Sequence, residues 1–366
     1  MIIPIYNIIR SNVPEPALAE REILQQVKLC KHTPIRITFF TDIACNEGYI
    51  EQRERIEACC KELFGNKRPV VALVVQPPLE CKLLAEVTYI DAACEIEYHD
   101  DYILLDGCQL YTAAIYSSLD KCIEEQSDDI FEHLNRILAL QGFAINNIVR
   151  QWNYIEHITH ISAQGQNYQQ FNDSRSRFYN CTTWRNGYPA ATGIGTGGGG
   201  VVVMVDAIKE SCKLSRPIDN PLQLSAHAYS QQVLIEGKNP SLKTTPKFER
   251  ARWVGDSSSC MIYISGTAAI RGEESQHDDI QHQAVVTMEN IEELTSTKNQ
   301  SLCGIPNVAK HEYELLRVYI KQGESWQGVE SYLKDNFACQ NISFVEADIC
   351  RAELLIEIEG IAKKNK

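Results

Sequence analysis

Two stretches of this chain repeat one another, and that repeat constrains the fold more than any single motif does. Gln126-Ser-Asp-Asp-Ile130 opens one long amphipathic segment, and Gln276-His-Asp-Asp-Ile280 opens another. After each comes an arginine near an aromatic residue: Val149-Arg150-Gln151-Trp152 in the first half, Leu316-Arg317-Val318-Tyr319 in the second. Around both, the order reads strand, charged loop, helix, strand, helix. A chain of 366 residues has room for two domains. The repeat therefore predicts an α+β protein made of two copies of one unit, each a mixed β-sheet with helices on one face. The expected domains are 1–205, with a strand-rich extension, and 206–366.

Periodicity fills in the units. Ile130, Leu134, Ile137 and Leu138 share one face of a helix over 127–140, and Ile280, Val285, Met288, Ile291 and Leu294 do so over 278–294. Further helices are expected over 50–63, 165–180 and 325–336. Strands are expected over 35–40, 70–75, 102–105, 145–155, 201–205, 261–267, 313–320, 342–346 and 353–361. Residues 206–258 read as irregular.

Charge and composition exclude several classes. The chain has 35 Lys+Arg against 48 Asp+Glu, a net charge of −13, and no basic stripe, so nucleic acid is not an expected partner. No apolar run reaches about 18 residues, so no membrane span is expected. The 14 cysteines form no C-x-x-C pair, and the N-terminus makes a poor signal peptide. They read as thiols of a cytoplasmic protein rather than a disulfide framework. His157 with His160, or His277 with His282, lacks a third ligand, so no metal is expected. The glycine-rich run Thr192–Gly200 fits neither G-x-G-x-x-G nor a P-loop, and a strand follows it; it reads as a tight turn beside another backbone. Ser257-Ser258-Ser259 lacks a nucleophile elbow.

Two segments carry candidate chemistry. Residues 171–193 gather Arg175, Arg177 and Arg185 with Tyr179, Trp184 and Tyr188. Guanidinium forks hold carboxylates bidentately and aromatic rings hold planar ligands, so an anionic small molecule could bind here; an exposed helix face with ordinary ion pairs is the equal alternative. Along 349–360, alternation puts Cys350, Leu354 and Ile356 on one face and Arg351, Glu357 and Glu359 on the other, unless a bulge exchanges them. A glutamate shielded by apolar groups gains a raised pKa suited to general acid work. An edge strand with solvated glutamates is the plainer reading.

The ordered set Phe171-Asn172-x-x-Arg175-x-Arg177, Tyr188–Gly195, Ile264-Ser265-Gly266-Thr267-Ala268, Gly272-x-x-Ser275-Gln276-His277 and Cys350-Arg351-x-x-Leu354–Gly360 resembles the chorismatase family over roughly residues 100–362. Members of that family look like two fused YjgF/RidA-like (chorismate-mutase-like) units and remove pyruvate from chorismate. The resemblance implies Glu357 as the catalytic acid and Cys350 as the residue that selects the product, here 3-hydroxybenzoate. It implies Arg351, Arg177 and Arg185 as clamps for the two carboxylates, with Tyr179, Tyr188, Gly266 and Thr267 beside the substrate. It requires no cofactor and no metal. The superfamily's trimers imply either a homotrimer or a pseudo-symmetric monomer. Two other readings stay open: a RidA-type enamine/imine deaminase using Arg351, and a non-catalytic binder of an anionic aromatic metabolite.

Overall fold

A computed structural model describes residues 1–91, 93–212, 214–228, 244–256, 259–276 and 278–364. Ser257, Ser258 and His277, and part of the stretch read as irregular, lie outside them.

Three sheets follow one another along the chain. The first comprises β1 (Ile5–Ser11), β2 (Thr33–Thr41), β3 (Val70–Val75) and β4 (Leu83–Ile90) in the order β1-β4-β2-β3, with helices α1 (Pro16–Leu29) and α2 (Asn46–Phe64). The second comprises β5 (Ile96–Tyr98), β6 (Tyr102–Leu105), β7 (Gln109–Thr112), β9 (Ile148–Glu156), β12 (Ala190–Thr196) and β13 (Val201–Ile208), with α3 (Ile123–Leu140) and α4 (Asn167–Tyr179). Short strand β8 (Ile115–Tyr116) leans on β13, and β10 (Ile161–Ser162) pairs with β11 (Gly165–Gln166). The third comprises β14 (Leu214–Ile218), β15 (Ala251–Gly255), β16 (Cys260–Ala268), β19 (His311–Ile320), β20 (Ile342–Glu346) and β21 (Ile356–Lys364), with α5 (Ile280–Thr295), α6 (Thr297–Leu302), α7 (Gln327–Asn336) and the hairpin β17 (Ile270–Arg271), β18 (Glu274–Ser275).

The second and third sheets share one topology, β5-β6-β7-β13-β9-β12 against β14-β15-β16-β21-β19-β20. In each, a meander leads into helix, strand, helix and a parallel strand, and the last strand then inserts at the centre. The first sheet has the same path without the two opening strands of the meander. The expectation of two units is therefore corrected to three, and the 205/206 boundary falls inside β13. The first copy escaped notice because it is shortened and because its central-strand arginine, Arg36, has Thr38 two positions on, where the other two arginines have Trp152 and Tyr319. Helix α1 was missed with it. The Arg-aromatic repeat marks equivalent positions on β9 and β19. The Asp-Asp repeat falls inside α3 but ahead of α5, where Asp279 caps the helix through the His282 N–H.

Each sheet packs its helices on one face, as Ile23, Leu24 and Ile56 do over Phe39 and Val87, and as Ala284, Met288 and Ile291 do over Ile262 and Val318. The opposite faces pool into a shared core that includes Phe40, Leu84, Trp152, Met204, Tyr263 and Tyr319.

A ring of buried ion pairs joins the three units at that core. Each contributes an arginine from its central strand and a carboxylate from the strand inserted beside it. Arg36 of the first pairs with Asp206 of the second at 2.6 Å, Arg150 of the second with Glu359 of the third at 2.6 Å, and Arg317 of the third closes the circle on Glu86 of the first. Arg317 also reaches Glu359 at 2.6 Å, and the guanidinium groups of Arg36 and Arg150 lie over the Trp152 ring, 4.7 and 4.6 Å from its centroid. Removing one partner of such a pair leaves a buried charge uncompensated, at a cost of about 3–5 kcal/mol.

Two sequence readings are settled here. Of the run Thr192–Gly200 read as a turn, Thr192–Thr196 belongs instead to strand β12, and Gly197–Gly200 is the β12–β13 turn. The Gly197 N–H donates to the Val75 carbonyl at 2.8 Å, and at Gly199 (φ +87°) a Cβ would lie 2.8 Å from the Tyr49 ring, so the turn does lie against another backbone. The reading of all cysteines as free thiols is corrected: Cys108, in the β6–β7 turn, forms a disulfide with Cys212, in the link to β14, 104 residues away. Sequence spacing carried no sign of this pair, because the fold alone brings the two loops together. No helix among the described residues is long and apolar enough to cross a membrane.

Candidate active site

A cleft of about 830 Å³, counted to its open mouth, lies where the second unit meets the third. The second unit supplies Tyr168 and Asn172 from α4 and Thr192 and Gly193 from β12. The third supplies Pro246, Phe248 and Arg250 from the segment before β15, Gly266 and Ala268 from β16, Cys350, Arg351 and Leu354 from the β20–β21 loop, and Glu357 from β21.

Glu357 forms the floor. Strand β21 is central in its sheet, not an edge, with Ala268 and Tyr319 opposite Glu357 on the flanking strands. The side chain is only 6% exposed. A bulge in β16 between Ile264 and Thr267 turns Gly266 toward it. A Cβ at Gly266 would overlap Glu357 Oε1 and lie 2.9 Å from Cδ. Burial, and then the negative charge of Glu359, push the Glu357 carboxyl up to about 8, although Arg150 and Arg250 pull the other way. At neutral pH this group carries a proton.

Arginine flanks the floor on two sides. Arg250 donates to the Leu224 carbonyl at 2.6 Å and lies over the Phe248 ring; Arg351 donates to the Glu273 carbonyl at 2.9 Å. Burial, with the nearby Glu357, raises the Cys350 thiol to about 12, so it is neutral and no nucleophile. Behind the wall, Arg175 is 1% exposed and donates to Asn172 Oδ1 at 2.6 Å, which fixes a side chain that lines the cleft.

Of the residues expected from sequence, Glu357, Cys350, Arg351 and Gly266 line this one cleft. The others lie elsewhere. Thr267 turns inward and donates to the Ser265 carbonyl at 2.9 Å. Tyr179 is fully buried and donates to Gln151 Oε1 at 2.7 Å, stacked on Tyr188 with centroids 5.9 Å apart. Arg177 is on the exposed side of α4, paired with Asp128 at 2.7 Å and Glu124 at 3.3 Å. Arg185 is exposed and lines a separate depression with Asn146 and Glu210. The helix period explains the split: residues 168, 172 and 175 share the inward face, and 177 is turned away from it. The alternation read from Cys350 onward also fails, because 350–355 is a loop and β21 begins at Ile356.

Sequence reasoning missed Arg250 and Phe248, which stand in the stretch read as irregular, where no periodicity marks them. Thr192 and Asn172 were inside recognised motifs without being singled out.

Residues 90–207 match the family model for the chorismatase FkbO/Hyg5-like N-terminal domain. A 3-hydroxybenzoate synthase of Streptomyces hygroscopicus is 31% identical over 233 residues, covering 61% of this chain and 65% of the relative. A chorismatase of Streptomyces rapamycinicus is 29% identical over 222 residues, covering 59% and 64%. The matched part thus spans just under two thirds of each relative's own length. The crystal structure of a chorismatase superposes with a TM-score of 0.74 at 20% identity and covers 98% of both chains. Residues 90–207 are thus similar to the chorismatase FkbO/Hyg5-like N-terminal domain, and the chain has the fold of the solved chorismatase.

Proposed function

We propose that the cleft binds chorismate and cleaves its enolpyruvyl ether with loss of pyruvate. The observation that carries this reading is a buried carboxyl, Glu357, at the floor of a cleft that also presents two guanidinium groups; burial raises its proton affinity. Arg250 and Arg351 clamp the substrate's two carboxylates. Glu357 delivers its proton to the methylene carbon of the enolpyruvyl group, which weakens the bond between the ring and the ether oxygen. Pyruvate leaves with the ether oxygen as its ketone oxygen. The neighbouring ring hydroxyl oxygen bonds to the vacated ring carbon and its bond to its own carbon breaks. Loss of a ring proton then aromatises the product to 3-hydroxybenzoate with no other reactant and restores the acid. In the hydrolytic outcome one water is consumed and a dihydroxycyclohexadiene carboxylate results.

The thiol of Cys350 lies in the cleft wall, where its bulk excludes water and favours the aromatic product. The name of the Streptomyces hygroscopicus relative supports that product. Chromatography after incubation with chorismate tests it. Wild type is expected to give 3-hydroxybenzoate, and Cys350→Ala to shift product toward the diene. An unchanged product ratio in the variant removes the role given to Cys350. Three copies already close a ring within one chain, which favours a monomer over a homotrimer; a sedimentation mass near 41.4 kDa supports this and a threefold mass opposes it.

A further inference from the structure

Glu359, the ring carboxylate of the third unit, stands two residues from Glu357 on β21, so both carboxyl groups leave the strand on the same face. It is 4% exposed and accepts from Arg150 at 2.6 Å, Arg317 at 2.6 Å, Trp152 Nε1 at 2.9 Å and the Thr192 hydroxyl. Burial works to raise its pKa, but Arg317 and Arg150 with these hydrogen bonds hold it below the ordinary carboxylate range. It is a fixed negative charge.

Thr192 ties that charge to the cleft. While donating to Glu359, it accepts from the Gly266 N–H at 3.0 Å, and Gly266 is the residue turned toward Glu357. The second unit shows the ring without the acid. Arg150 stands opposite Asp206 on β13 as Arg317 stands opposite Glu359 on β21. Two residues before Asp206 is Met204, where β21 has Glu357. The ring carboxylate is thus common architecture, and on β21 it acquires a second carboxyl as neighbour.

We propose that Glu359 is the positioning residue that keeps Glu357 in its proton-bearing form while the cleft is empty; this rests on the reading of Glu357 as the acid. The other titratable or charged groups around Glu357 are Arg150 on β9, Arg250 before β15, Cys350 and Arg351 on the β20–β21 loop, and Tyr168 on α4. Arg250 in the cleft and Arg150 behind it work against protonation, and in the empty cleft the charge of Glu359 adds to burial in offsetting them.

The test is the pH dependence of kcat/KM for chorismate, which reports the free enzyme. In Glu359→Gln the alkaline limb moves to lower pH by about one unit or more, because a like charge is removed and Arg150 loses a partner. Glu359→Asp keeps the charge and holds the limb near wild type. Arg150→Met moves it to higher pH. A loosened structure would depress all variants at every pH without moving the limb, and that result overturns the proposal. If Glu359→Gln does not fold, Arg150→Met decides alone: a limb that stays or moves down overturns it. A readout without turnover separates this inference from the substrate assignment. The stability difference between wild type and Glu357→Gln, followed against pH with and without Glu359→Gln, reports the proton affinity of Glu357 even if chorismate is left untouched. Unchanged pH dependence there also overturns the proposal.

Discussion

Gly266→Ala is the smallest change that attacks the cleft at its floor. The added methyl overlaps Glu357 Oε1 and lies 3.0 Å from Thr192 Cγ2. Thr192 cannot retreat, since its hydroxyl is tied to Arg150 at 2.7 Å, to Glu359 and to the Gly266 N–H. The carboxyl of Glu357 must therefore move by about 1 Å or leave its rotamer. A misplacement of that size costs about 10²-fold in rate, or about 2.7 kcal/mol of barrier, and overpacking costs about 1–3 kcal/mol of stability. The assay is steady-state pyruvate release from chorismate, coupled to lactate dehydrogenase, with thermal melting to verify the fold. Combining Gly266→Ala with Glu357→Asp, whose shorter side chain withdraws from the methyl, should be less harmful than the product of the two single effects. A folded Gly266→Ala protein with wild-type kcat would refute the claim that Glu357 acts from this position.

Two further outcomes follow from buried groups. The Glu357 carboxyl is raised from 4.5 to about 8 in the fold, so its contribution to stability is fully present below 4.5 and is lost as pH rises toward 8. Melting from pH 5 to 8 should therefore show Glu357→Gln gaining on wild type by a few kcal/mol, and parallel curves would contradict the burial argument. The Cys108–Cys212 bridge closes a loop of 104 residues, which in the chain-entropy account is worth about 4–5 kcal/mol. Cys108→Ser should lower the urea midpoint by that order, and added reductant should lower wild type to match; an unchanged midpoint would show that the bridge does not constrain the unfolded chain.

Much of the fold was legible because period and repeat are local signals. Helices α3 and α5 announce themselves through apolar stripes, and Arg150 and Arg317 mark the same place in two units. The first copy was hidden because Arg36 plays the same part without an aromatic residue two positions on. The cleft was half legible. Glu357 and Arg351 are close in sequence and remain close in space, whereas Arg250 reaches the cleft from a stretch with no periodic pattern. Arg177 and Arg185 misled because a cluster of arginines in sequence is divided by the helix period, which sends Arg177 to Asp128 on the surface and leaves Arg175 inside. The ring of ion pairs could not be read at all, since each pair joins strands of different units.

The most direct test of the account is pyruvate release from chorismate by wild type and by Glu357→Gln, with chorismate binding measured in parallel. The account predicts stoichiometric pyruvate and 3-hydroxybenzoate from wild type. It predicts a rate lower by about 10²–10⁴-fold in the variant, with binding retained. Equal rates in the two proteins, or chorismate left intact by wild type, would contradict it.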